Sequence, residues 1–175
     1  MPTDDELRAE LTFLGLDERS FRAIALLPLL EVAWADRAIQ EEEKQKIIEV
    51  ARGHKLLTRT GATVLKNWLS KRPSAGTFKR GRELLVALAH HDGTVGRDMP
   101  PEALDTVLEL CAHVAESAGG LFGVFWTVSG AERAAIQEIS KTIDEGSAKH
   151  QNPTRGIVGR TISMDWRELM AELDE

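Results

Sequence analysis

Two groups of residues in this chain have the types and spacing that could do chemistry. Asp36, Glu42 and Glu43 stand around the end of one apolar helix and offer hard oxygen ligands. Calcium takes six to eight such oxygens and magnesium a near-octahedral set with retained waters, so these carboxylates could supply two or three positions of a shallow Ca or Mg site. The EF-hand spacing is missing, because Ala38 and Gln40 stand two and four positions after Asp36. The other reading makes them local: Asp36 satisfies the turn backbone and Glu43 completes a helix cap.

His90, His91, Asp92, Cys111 and His113 form the second group, with imidazole and thiol ligands suited to zinc. Their spacing fits a buried interface better. His90 and His91 are adjacent and would point about 100° apart on a helix. Cys111 and His113, two apart, would face away from each other, a poor arrangement for nucleophile and base. No glycine-rich phosphate loop accompanies them. The expectation is a protein without catalytic residues.

The elements that must position these groups are helical. From Phe21 to Asp36 the chain reads FRAIALLPLLEVAWAD, and Glu31 is the one charge between Ala23 and Ala35. A helix apolar nearly all round is buried on most faces, so this segment is expected to be the central post. Asp17 is placed to cap it, and Pro28 within it predicts a kink over 24–28. Asp36 to Gln40 is then a turn, and Glu41 to Arg52 a second helix whose three leading glutamates suit the positive end of its dipole.

Helical spacing also predicts elements from Asp4 to Leu14, Gly61 to Leu69, Phe78 to His90 and Pro101 to about Ser117. Ser129 and Glu132 form a capping-box pattern opening a helix to about Ile143. No segment alternates, so the expected fold is an all-α, single-domain bundle of about seven to eight helices over residues 1–145. Residues 146–162 read as a polar linker, and Ser163 opens a C-terminal amphipathic helix, with Trp166, Leu169, Met170 and Leu173 on one face, expected to pack on the domain.

The totals narrow the function class. A net charge of −6 argues against nucleic acid, where phosphate contacts need clustered Lys and Arg. Lys66 to Arg82 is the basic exception, read as a solvated connection or as a patch for an anionic ligand or membrane surface. A lone Cys111 fits a reducing compartment, and the acidic start MPTDDEL has no basic leader, so a cytoplasmic location is expected. Apolar runs fall short of the roughly 20 residues that cross a bilayer.

A weak internal repeat adds symmetry. Setting Val32 against Val114 aligns Gln40 with Ser129 and Glu43 with Glu132, each at the start of the second helix of a hairpin. Duplicated hairpins commonly pack about a pseudo-two-fold axis with their central helices side by side. The second hairpin carries an apolar insert, Leu121 to Val128 (LFGVFWTV), which either folds back over the core or forms a docking patch.

Val32-Ala-Trp-Ala-Asp36, then Ile39, then Glu43, resembles the helix-turn-helix signature of the tellurite-resistance TerB-like family, with Arg37 where that signature usually has glycine. The resemblance is local, spanning about Leu26 to Val50. It implies an all-helical domain with pseudo-two-fold symmetry and acidic residues proposed to bind a divalent cation. Asp36 and Glu43 are the positions that carry over. It implies a non-enzymatic stress-response module with a protein partner and peripheral membrane association; the other reading is a metal-independent interaction adaptor using Leu121–Val128.

Overall fold

The computed structural model describes residues 2–117 and 128–150. The C-terminal helix expected from Ser163, and all of the Leu121–Val128 insert except Val128, lie outside the described residues. Within them the fold is all-α: α1 (Asp4–Phe13), α2 (Leu26–Ala33), α3 (Glu41–Gly53), α4 (Arg59–Ser70), α5 (Ala75–Ala89), α6 (Ala103–Ser117) and α7 (Gly130–His150).

α2 is the post around which the rest is laid. Leu26, Leu27, Pro28, Leu29, Leu30, Val32 and Ala33 are all buried, and α2 packs against α3, α4, α5, α6 and α7. Removing so many large side chains from water, at about 1.5–3 kcal/mol for each fully buried one, makes this short helix the main source of cohesion.

The expected kink takes another form. Phe21–Ala25 is a 3₁₀ helix that runs into α2, and Pro28 falls in the first turn of the α-helix. The missing N–H there has no intrahelical acceptor to lose, so the change of helix type accommodates the proline. Asp17 caps the preceding turn, its Oδ1 accepting from the N–H groups of Arg19 (3.0 Å) and Ser20 (2.8 Å).

Local signals mark the other boundaries. The side chains of Thr3, Thr58, Ser74 and Ser129 each accept an N–H of the first turn that follows them. Gly15 follows the end of α1 with φ +79°, where a Cβ would be strained.

One boundary corrects the sequence reading. α7 does not stop near Ile143 but runs to His150, so residues 146–150 are helix rather than linker. Gly146 is the reason: a Cβ there would lie 2.5 Å from Cγ1 of Val86, so its bare backbone lets α7 lie close against α5. The His150 ring stacks on His90, the residue that ends α5, at 5.2 Å. A glycine that reads as a linker signal in sequence is a close-approach point in the fold.

Candidate functional site

The two hairpins aligned in the repeat are α2–α3 and α6–α7, and their central helices α2 and α6 lie side by side. Each hairpin's second helix begins with the same device. The Glu43 carboxylate accepts from the N–H of Gln40 at 2.7 Å, and the Glu132 carboxylate accepts from the N–H of Ser129 at 2.7 Å. Ser129 Oγ returns the contact by accepting from the Glu132 N–H at 3.1 Å. Both glutamates are third residues of their helices, where a side chain folds back over the N-terminus.

Folding back turns both carboxyls inward. Glu43 is 2% exposed and Glu132 4% exposed, and their carboxyls are neighbours, able to share a hydrogen bond when one of them is protonated. Burial pushes the Glu43 carboxyl up to about 7, against the Gln40 N–H bond, and the charges of Glu132 and Asp36 add to the rise. Near neutrality Glu43 therefore holds a proton much of the time and can donate it toward Glu132.

Of the residues expected to hold a cation, Asp36 and Glu43 are close enough to interact electrostatically, with Asp36 on the solvent side. Glu42 is exposed and does not join them; Glu132 does. The pairing of Glu43 with Glu132 was signalled by the repeat register, which placed them at equivalent positions. Arg37 adopts φ +69°, the left-handed conformation that glycine would take without strain. Among the described residues no ion pair joins Arg37 to Asp36, so the aspartate is not locked by its neighbour.

The histidine and cysteine group disperses. His90 Nε2 bonds Ser147 Oγ at 3.1 Å, His91 bonds Asp4, and His113 is exposed. Cys111 is fully buried, and that burial pushes its thiol up, away from the reactive thiolate. No group of three His, Cys, Asp or Glu placed to hold a metal ion occurs among the described residues. The Asp4 carboxylate accepts from the Thr94 side chain, bonds His91 and accepts the Thr94 N–H at 3.2 Å; these contacts hold it well below the usual carboxylate range and tie α1 to the 91–94 turn.

A second buried charge cluster went unseen in the sequence. Arg82, inside the basic stretch, is 6% exposed. Its guanidinium pairs with Glu31 and donates to Thr142 Oγ1 at 3.2 Å and Glu138 at 3.5 Å, linking α2, α5 and α7. Its signal was the single charge of the central helix, since a carboxylate on a buried post needs a cation. Lys66, Lys71, Arg72, Lys79 and Arg80 are exposed, as a solvated connection requires.

Fold and site together define a class: an all-α bundle in which two helical hairpins bring equivalent capping glutamates into contact. Comparison with protein-family models, with curated proteins and with solved structures finds no match. The likeness to the TerB-like signature therefore rests on Val32 to Glu43 themselves. No helix among the described residues is long and apolar enough to cross a membrane.

Proposed function

We propose that this protein is a non-enzymatic, TerB-like stress-response module that binds a protein partner and takes a divalent cation, Ca or Mg, at the turn carrying Asp36 and Glu43. The observation that carries this reading is the contact of Glu43 with Glu132 beside Asp36. Two buried carboxyls that share a proton can exchange it for a hard cation, with turn carbonyls and water, rather than a third convergent side chain, completing the shell. Glu132 replaces Glu42 in the ligand set proposed from the sequence. The raised Cys111 thiol and the exposed His113 favour a binding role over nucleophilic catalysis.

Calorimetric titration of the full chain with calcium, magnesium and manganese at pH 6 and pH 8 tests the cation. Binding should strengthen at the higher pH, release protons near neutrality and vanish in Glu132→Gln. Identical absence of heat in the native chain and the variant with all three ions would remove the cation and leave the metal-independent adaptor.

A further inference from the structure

α3 and α4 follow one another closely in sequence yet make almost no close contact, because α4 turns away to pack on the 3₁₀ segment and on α2. Between them lies an open groove of about 370 Å³, floored by Ile48, Leu57, Leu65 and Leu69. Leu65 is buried, but Ile48, Leu57 and Leu69 are only half-buried. The rim is basic: Lys44, Arg52 and Lys66 line the groove, and among the described residues no carboxylate does. Lys44 is paired with Glu41 at 3.6 Å. Among the described residues Arg52 and Lys66 have no ion pair. A basic, apolar groove in a chain of net charge −6 asks for an acidic, apolar occupant.

We propose that the groove between α3 and α4 is the docking site of this chain's own residues 163–175, SMDWRELMAELDE, bound as an amphipathic helix. The apolar residues Trp166, Leu169, Met170 and Leu173 fall at the spacing of one helical stripe, the pattern by which helices lie in grooves. The same segment carries Asp165, Glu168, Glu172, Asp174 and Glu175 against Arg167 alone. That stripe would be about 10 Å long, close to the roughly 12 Å that α3 runs from Lys44 to Arg52.

Residues 151–162 can span up to about 40 Å when extended. A domain of this size has a radius of gyration of about 14 Å, so the segment can reach the groove from the end of α7. Tethering raises its effective concentration to about the millimolar range, which favours the chain's own segment over a second copy's. The inference stands independently of the cation.

Amide hydrogen exchange on the full chain tests it, beside the isolated 163–175 peptide as reference. In the native chain residues 163–175 should exchange at least about tenfold more slowly than in the peptide, independently of protein concentration. That protection should be lost in Ile48→Asp, at a half-buried position on the groove floor, and in the double variant Arg52→Glu, Lys66→Glu, where both substituted side chains are exposed and the core is untouched. Peptide-like rates in the native chain would overturn the proposal, as would protection unchanged in both variants. Protection that grows with protein concentration would assign the groove to a second copy and overturn it equally.

Discussion

Glu43 of α3 and Glu132 of α7 meet carboxyl to carboxyl inside the bundle, each held by the N–H that precedes its own helix. A capping box ordinarily spends its glutamate at the surface; here two of them are turned onto each other by the packing of two hairpins. The arrangement is tolerable because one of the pair keeps a proton.

The sign of the resulting pH dependence follows. Glu43 has a folded value of about 7 against an ordinary 4.5, so between those limits the folded chain binds the extra proton. Stability must fall as pH rises through that window, by up to about 3 kcal/mol for the whole shift. Glu43→Gln keeps an acceptor for the Gln40 N–H and removes the titration. Melting temperatures measured from pH 5 to pH 8 should decline in the native chain and stay flatter in the variant; parallel curves would refute the buried pair. Asp4 works in the opposite sense: its depressed value adds stability above about 4 that is lost as pH falls further.

Arg82 and Glu31 form a charge pair that is costly to break from one side. Arg82→Met strands the Glu31 carboxylate, which burial already pushes up, and should cost about 3–5 kcal/mol in urea unfolding. Arg82→Met with Glu31→Leu should recover most of that loss, because an apolar pair of similar volume needs no counter-charge. A double variant no more stable than the single one would show that the guanidinium acts through Thr142 and Glu138 instead.

Gly146 tests the extended α7. Alanine there would gain about 1 kcal/mol of helix propensity if the site were open. With Cγ1 of Val86 2.5 Å from the new methyl, Gly146→Ala should instead lower the melting temperature, and Val86→Ala in the same chain should restore much of it. A simple rise in stability on Gly146→Ala alone would place α7 farther from α5.

Ser129 is the cap of the helix that delivers Glu132. Ser129→Ala removes the acceptor for the Glu132 N–H and should cost about 1 kcal/mol by denaturant unfolding. It should also loosen Glu132 and so lower the pH at which Glu43 titrates, read by carboxyl NMR. An unmoved titration would mean that packing, not the cap, holds the pair together.

Much of this protein is legible in its residues alone. The helical periodicities of α1 to α6, the cap at Ser129, the buried post at 26–33 and the equivalence of Glu43 with Glu132 all follow from relations over a few positions or from a repeated register, whereas Asp17, expected to cap the central helix, caps only the turn before it. Such signals are local: a cap or an apolar stripe depends on neighbours three or four residues away. What the tertiary structure decided are meetings between distant segments. It turned Glu43 onto Glu132 and left Glu42 in solvent, sent Arg82 inward to Glu31, drew α7 past Gly146 to His150, and parted α3 from α4 to open the groove. Periodicity reports which face of a helix is buried. Which charge or close neighbour that face encounters depends on how helices far apart in the chain pack together, and no single helix carries that information.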